Sequence, residues 1–470
     1  MTVPRLLRDL AFLLVSLIGL TTFMYAQFET RGSLTVNNYP TSVAVGDFNH
    51  DGKLDMAVIA GSSNKDTLAI LIGNGDGTFL PAIYYTVGVG PLFVVTADFN
   101  RDGNLDLAVG SEADYISIML GNGDGTFQNA TETSSVPGSE RYIATGDFNR
   151  DGKIDLLMRA DGNAITVLLG NGDGTFQNAL TTYASFSVET VAVGDINGDG
   201  KLDLVTGGTF GSTSTLNLWL GNGDGTFDYG EIYQDSEYPT SLVLADFNHD
   251  GKLDLGIINL GDVQVMLGNG DGTFQPVSYT YVMGENDWGV AADLNGDGKM
   301  DLAVVADFPP SGVHVFPGNG DGTFGTPTFY QAGMTPAQVA LGDFNGDGKK
   351  DMAVPDADSN DVIVLMNTGT VALSPNTPLN FKTFKTGTKS PPLKVTLTNT
   401  AKTALKISSI KVSGQFGMTT TCHPNVAAGG SCTISVIFEP KSQGAQSGTV
   451  TITDSASSQP MMIALSGTGS

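Results

Sequence analysis

Seven times between residues 47 and 351 the chain repeats one nine-residue phrase, with Asp at position one, Asn at three, Asp at five, Gly at six and Asp at nine. The copies are DFNHDGKLD at 47, DFNRDGNLD at 98, DFNRDGKID at 147, DINGDGKLD at 195, DFNHDGKLD at 246, DLNGDGKMD at 293 and DFNGDGKKD at 343. Their spacings of 51, 49, 48, 51, 47 and 50 residues make the chain an array of one supersecondary unit. Overlaid, the copies show four parts. A strand such as TSVAVGDF or YIATGDF leads into the acidic phrase, and LDMAVIA, LDLAVG or IDLLM leads out of it. A third strand follows, as in LAILIGNGDGTF or ISIMLGNGDGTF, and a more polar stretch such as FLPAIYYTV or FQNALTTYAS closes the unit. The apolar runs are short, rich in Val, Ile and Leu and bounded by Gly, Asn and Asp, and no stretch sustains a helical period. Four short strands per unit, seven times over, predict an all-β fold: a seven-bladed β-propeller over residues 27–370.

Positions that share a role must meet the same constraint, so the copies can be read against each other. The residue before the first Asp is always tiny (Gly46, Ala97, Gly146, Gly194, Ala245, Ala292, Gly342), as expected where innermost strands crowd toward an axis. The residue after it is always apolar, from Phe48 to Phe344, as a half-buried pleat requires. The GNGDGTF phrase at 73, 121, 170, 221, 268 and 318 reads as a tight hairpin turn followed by a Phe packed between blades. In the seventh unit this phrase has decayed to VIVLMNTGT and no fourth strand follows, while QFETRGSLTV (27–36) is a fourth strand without a unit. The N-terminal segment is therefore expected to complete the seventh blade and hide the edges an open array would leave.

The two ends of the chain differ from the array. Residues 1–26 carry Arg5 and Arg8, an apolar run from Leu10 to Leu20 and a small Ala26, which reads as a secretion signal, with a membrane anchor as the rival reading. From about Val371 the acidic phrases stop. Segments such as LKVTLTNTA, SCTISVIFEP and SGTVTITDS alternate like strands over residues 371–470, as in an immunoglobulin-like sandwich. The only two cysteines, Cys422 and Cys432, suggest one local disulfide in an exported chain; buried free thiols are the alternative. The net charge of −26 argues against nucleic acid and anionic lipid as partners. Its placement says more, because 21 of the 49 acidic residues lie in the seven phrases, where seven divalent cations would leave −12.

Side chains at one, three and five with glycine at six follow the ligand order in the first half of a calcium-binding helical loop, and a hard cation wants six to eight oxygens. The carbonyl of position seven would ligate, which tolerates Lys53, Asn104 or Lys349 there, and Asp55 and its counterparts would supply the last carboxylate. Flanking strands exclude the helix-loop-helix and dockerin contexts. The repeats resemble the FG-GAP or VCBS type found in integrin alpha-subunit propellers and in secreted bacterial proteins. That resemblance implies structural calcium, up to seven ions, in a loop joining the two inner strands of each blade. Carried over, the first site is Asp47, Asn49, Asp51, the carbonyl of Lys53 and Asp55, and the second is Asp98, Asn100, Asp102, Asn104 and Asp106. The third takes Asp147, Asn149, Asp151, Lys153 and Asp155, and the fourth Asp195, Asn197, Asp199, Lys201 and Asp203. The fifth takes Asp246, Asn248, Asp250, Lys252 and Asp254, the sixth Asp293, Asn295, Asp297, Lys299 and Asp301, and the seventh Asp343, Asn345, Asp347, Lys349 and Asp351. The C-terminal module resembles the ASH or choice-of-anchor D modules of bacterial surface proteins in LTNTAKTALKISSIKVSG, CHPNVAAGGSCTISVIFEP and the terminal LSGTG.

No nucleophile elbow, phosphate loop or zinc spacing occurs, and the four histidines (His50, His249, His314, His423) have no evident partners for catalysis. The expectation is a monomeric, secreted or cell-surface binding or adhesion protein, not an enzyme, with no membrane span after signal cleavage. An extracellular protein or glycan ligand would be read by the variable connections opposite the acidic loops: SSNKD near 62, SEADY at 111, TETSSVPGSER at 131, TFGSTS at 209, YQDSEYP at 233, GENDWG at 284 and DFPPSG at 307. Tyr115, Tyr238 and Trp288 are candidates there for stacking on sugar or peptide, against a plain packing role. A propeller-based enzyme acting on polysaccharide or lipid, and a purely structural display protein, are the alternatives.

Overall fold

The structure, a computed structural model, describes residues 23–36, 39–61, 67–112, 115–133, 142–160, 162–210, 213–235, 238–281, 286–307, 310–374, 379–399, 404–422, 424–454 and 461–470. Every regular element among them is a strand. The chain divides into one unit of Ala26–Gly369 and another that contains Thr370–Ser470. The expected leader lies outside the described residues up to Phe23, where the first strand, Phe23–Thr35, begins.

In the larger unit Pro40–Gly46, Asp55–Ala60, Thr67–Leu71 and Ile83–Thr86 form an antiparallel four-stranded sheet in chain order. Five more sheets repeat it, with first strands Pro91–Ala97, Ile143–Gly146, Ser187–Gly194, Pro239–Ala245 and Asn286–Ala292. The seventh repeat supplies Ala340–Gly342, Asp351–Asp356 and the start of Asp361–Ser374, and Phe23–Thr35 pairs with the last of these, so the N-terminal strand does fill the missing place. Register is identical throughout. The tiny residue pairs with the position-nine Asp as Gly46↔Asp55, Ala97↔Asp106, Gly146↔Asp155, Gly194↔Asp203, Ala245↔Asp254, Ala292↔Asp301 and Gly342↔Asp351.

The second strands, such as Asp55–Ala60 and Asp301–Ala306, are buried at every residue because both faces of each sheet are covered by neighbours. Each apolar cluster is shared by consecutive repeats: Phe48, Ile70, Leu107 and Met119 join the first to the second, and Met56, Val58, Phe344 and Val364 join the seventh back to the first. The fourth strands are the exposed ones, with Ile83 and Tyr84 at the surface. The smaller unit packs a sheet of Leu393–Asn399, Ser431–Phe438 and Phe416–Thr420, extended by Val371–Ser374, against a second of Leu379–Phe384, Met461–Gly469, Gly444–Asp454, Leu405–Val412 and Asn425–Val426. Inward residues such as Val395, Ile434, Val436, Phe438, Val450 and Ile463 form the core of this β-sandwich. Cys422 and Cys432 are disulfide-bonded, with Cα atoms 5.0 Å apart.

Candidate metal centres

Each acidic phrase is a turn held by its own side chains. In the first copy the Asp51 N–H donates to Asp47 Oδ1 at 3.2 Å and to Asn49 Oδ1 at 2.9 Å, Gly52 N–H donates to Asp47 Oδ2 at 2.9 Å, and Lys53 N–H donates to Asp51 Oδ1 at 3.0 Å. The other copies repeat it: Asp102, Asp151, Asp199, Asp250, Asp297 and Asp347 donate to Asp98 with Asn100, Asp147 with Asn149, Asp195 with Asn197, Asp246 with Asn248, Asp293 with Asn295 and Asp343 with Asn345. Oxygens of positions one and three thus meet on one amide. The turn needs two left-handed residues. Gly at six supplies one (φ 79° at Gly52), and position four is the other, taken by His50, Arg101, Arg150 and His249 as well as by Gly198, Gly296 and Gly346. In six loops the position-seven ammonium lies against the position-five carboxylate: Lys53, Lys153, Lys201, Lys252, Lys299 and Lys349 within 3.0–3.9 Å of Asp51, Asp151, Asp199, Asp250, Asp297 and Asp347. The second loop has Asn104 there instead.

Position nine is placed differently. Asp55 is fully buried, and its Oδ2 accepts from Phe48 N–H at 2.9 Å while Oδ1 accepts from Gly73 N–H at 2.8 Å. Asp106, Asp155, Asp203, Asp254, Asp301 and Asp351 are equally buried and make the same two bonds, the last using Asn367 N–H in place of a glycine amide. The residue therefore ties the acidic loop to the GNGDGTF turn of its own blade, a role its sequence position did not disclose. Burial raises these carboxyls, against the two amides, and the carboxylates at positions one and five raise them further: Asp155 to about 6, Asp301 and Asp351 to about 7.

The donor set is all oxygen, as a hard cation requires. Among the described residues no three His, Cys, Asp or Glu side chains gather as a metal cluster; each loop offers a half-buried position-one carboxylate, the position-five carboxylate, a carboxamide and a backbone carbonyl beside the buried Asp. In five loops each oxygen of the buried carboxylate accepts one amide and keeps a lone pair, whereas Asp203 Oδ2 also accepts from Asn197 N–H, and Asp301 takes two further bonds from Asn295, through its N–H and its Nδ2. A buried negative charge facing two more, with no cation paired to it directly, is an arrangement that a bound divalent ion would relieve. The residues fit calcium on these grounds.

The GNGDGTF turns interlock neighbouring blades. Within each, Asn74 N–H and its equivalents donate to the Thr carbonyl four residues on, and Gly75 and Gly77 sit at φ 76° and 81°. Between repeats, Gly125 N–H donates to Phe48 O, Gly174 to Phe99, Gly225 to Phe148, Gly322 to Phe247, and Gly77 of the first repeat to Phe344 of the seventh. The following Phe stacks edge-on against the same neighbour, as in Phe127 on Phe48 and Phe79 on Phe344. The tiny residue before the acidic phrase also faces the next repeat: a Cβ on Gly46 would lie 2.6 Å from Leu105 Cδ1, on Gly146 2.5 Å from Leu202, on Gly194 2.8 Å from Leu253, and on Gly342 2.9 Å from Leu54. Glycine occurs wherever the next repeat has Leu at position eight; Ala97, Ala245 and Ala292 precede repeats with Ile154, Met300 and Lys350.

Of the variable connections, 62–66, 113–114, 134–141, 211–212, 236–237, 282–285 and 308–309 lie outside the described residues, as do Arg141 and His423. Trp288 is not in a loop but in the first strand of the sixth repeat, and Tyr115 packs beside Gly88. His50 Nε2 lies 2.9 Å from Asn104 Oδ1, outside its own loop, and His314 lies between Phe316 and Phe329.

Repeated four-stranded sheets, clasped by the N-terminal strand and interlocked from each repeat to the next, define a β-propeller followed by a β-sandwich. The family description "FG-GAP-like repeat" matches residues 55–109, 98–158, 147–206, 208–257, 246–304 and 293–354, and "FG-GAP repeat" matches 187–226. The chain belongs to the FG-GAP repeat family. Residues 374–468 match the family "Protein of unknown function (DUF1573)". No curated protein matches the chain. FG-GAP repeats are typical of extracellular proteins; an intramolecular disulfide fits that setting, and no helix among the described residues is long and apolar enough to cross a membrane.

Proposed function

We propose that this protein is a secreted or cell-surface binding and adhesion module whose propeller is stapled by calcium, up to one ion per acidic loop. The observation that carries the calcium reading is the sevenfold meeting of oxygens from positions one and three on the position-five amide, next to a buried position-nine carboxylate that no cation neutralises directly. Asp47, Asn49, Asp51, the Lys53 carbonyl and Asp55, with their counterparts, would hold the ion. Calcium would supply charge neutralisation between two inner strands, not chemistry.

The binding role rests on the family and on topology. In an antiparallel sheet the acidic loop and the GNGDGTF turn share one end, which the Asp55 bond to Gly73 N–H ties together. That end is nearly the same in every repeat, whereas the connections at the other end differ in length and composition, as recognition surfaces do. Calorimetric titration of chelator-treated protein with calcium tests the first part, with saturable uptake of more than one ion expected; no uptake at millimolar calcium would overturn it. A screen against neutral and charged glycans and extracellular matrix proteins, with and without calcium, tests the second. Turnover of a glycan in that screen would replace adhesion by enzymatic function.

A further inference from the structure

Residues in or just before the first strands of all seven repeats, at the end away from the acidic loops, together with Arg159 of a second strand, line one open cavity of about 440 Å³. Such a volume is within the roughly 300–1,000 Å³ of small-molecule sites. Its wall is an aromatic cluster drawn from repeats two, three and six: Phe93 lies 5.6 Å from Trp288 and 5.7 Å from Tyr142, and Tyr142 lies 6.3 Å from Trp288, with ring planes tilted by 34–47°. Tyr238 stands at the cavity, 38% exposed. Beside the cluster Arg159 Nη1 donates to Glu189 Oε2 at 3.1 Å and to the Glu189 carbonyl at 2.9 Å. The ion pair is mostly buried, with 14% and 27% of the two side chains exposed. Arg159 Nε and Trp288 Nε1 are buried without an acceptor and carry almost no accessible surface, so neither is presented to the cavity.

These features select a ligand class. The Arg159–Glu189 pair leaves the cavity without net charge, so a cation would meet the arginine and an anion the glutamate, each at a cost. A purely apolar ligand would cover the aromatic rings but would shut the partly exposed Arg159 and Glu189 groups off from water with no new partner, an expense a good fit avoids. A neutral molecule with C–H faces for the rings and hydroxyls for the ion pair answers both. We propose that this axial cavity binds a neutral saccharide unit, the end of an oligosaccharide, stacked on Phe93, Tyr142 and Trp288 and hydrogen-bonded by Arg159 and Glu189. The assignment rests on the reading of the protein as an extracellular binding module and gives that module its ligand class.

The chain offers its own probe. Of the two tryptophans, Trp219 is buried, donates to Thr206 Oγ1 at 2.9 Å and packs against Tyr229, so Trp288 alone borders the cavity. The full calcium-loaded chain is titrated with cellobiose, mannobiose and diacetylchitobiose, with digalacturonate and dilysine as charged controls, reading tryptophan emission and heat. At least one neutral disaccharide is expected to give a saturable emission change. Trp288→Phe should abolish that change, and both Trp288→Phe and Arg159→Met should weaken calorimetric binding about tenfold or more. Arg159→Met serves as the second variant should Trp288→Phe disturb folding. No saturable response from any neutral disaccharide, or preference for a charged control, overturns the assignment. A ligand from the wider glycan and protein screen that binds both variants as tightly as the parent chain removes the cavity assignment and leaves the binding-module reading standing. No ligand in either experiment removes both.

Discussion

Asp155 separates two roles that the acidic phrase superimposes. Replacing it by Ala leaves Phe148 N–H and Gly170 N–H, now held at 2.9 and 2.7 Å, without an acceptor in a site with no solvent exposure. Each buried amide so orphaned costs roughly 1–3 kcal/mol, so about 2–6 kcal/mol is at stake. Relief of repulsion from Asp147 and Asp151 offsets part of this loss when no ion is bound. Asp155→Asn keeps one acceptor and turns an NH₂ toward the other amide, for about half the loss. At roughly 2.1 cal/mol/K of unfolding entropy per residue, residues 26–369 melting together convert 2–6 kcal/mol into about 3–8 °C. The assay is thermal unfolding in excess chelator and again in millimolar calcium, with Asp147→Asn as the control, since Asp147 makes only exposed bonds to its own loop. Asp155→Ala should melt lower in both media, and Asp147→Asn mainly in calcium. If Asp155→Ala melts with the parent chain in chelator and loses stability only in calcium, position nine is a metal ligand and nothing more, and the amide argument is refuted.

Calcium at tenfold excess over its dissociation constant should add about 1.4 kcal/mol per occupied site, so chelation should lower the melting temperature by many degrees; an unchanged melt would sink structural calcium. Gly46→Ala should destabilise by about 1–3 kcal/mol against Leu105, and Gly46→Ala with Leu105→Ile, the pairing of Ala97 with Ile154, should recover most of it; an additive double-mutant cycle would refute the contact. His314, its pKa lowered by burial beside Phe316 and Phe329, stays neutral in the fold while the unfolded chain protonates near pH 6.5, so stability falls as pH drops below that value. The buried Asp155, Asp301 and Asp351 act in the opposite sense over the same range, so the test is the difference: the melting temperature of His314→Phe relative to the parent chain should rise between about pH 7 and 5, and an unaltered difference would refute it.

The fold was legible because repetition multiplies weak signals. One DFNHDGKLD is an ambiguous turn, but seven at one spacing, each with short β-branched runs on either side, leave few architectures, and the orphan strand at 27–36 follows from counting parts. What stayed hidden lies between repeats or across the ring. The bond from Gly125 to Phe48 spans two copies, so no reading of a single copy contains it. The glycine-before-leucine rule was written in the sequence, yet it shows only when each repeat is compared with its successor, the first counted as successor to the seventh. Phe93, Tyr142 and Trp288 come from three repeats whose rings meet only once the array has closed on itself. Position nine hides a second role for another reason: a carboxylate that accepts two buried amides is the same letter as one that does not, and the amide bonds exist only in the fold.

The decayed seventh phrase shows which parts of the motif closure needs. Elsewhere two glycine amides of the GNGDGTF turn do separate work, one donating to the position-nine Asp of the same blade, as Gly73 does to Asp55, the other to the position-two carbonyl of the preceding blade, as Gly125 does to Phe48. In the seventh repeat Asn367 performs both. Its N–H donates to Asp351 Oδ1 at 2.7 Å, and its Nδ2 donates to Leu294 O of the sixth repeat at 2.7 Å and to Lys350 O at 3.2 Å. A side-chain amide can replace the second glycine because the chain here does not turn back into a fourth strand; it continues along Asp361–Ser374, and Phe23–Thr35 takes the vacant edge. The hairpin glycines are thus dispensable once the fourth strand arrives from the other end of the chain, while the bond within the blade and the bond to the preceding blade are both retained, through Asn367. That retention marks the interlock between repeats, and not the turn itself, as what the GNGDGTF phrase is for.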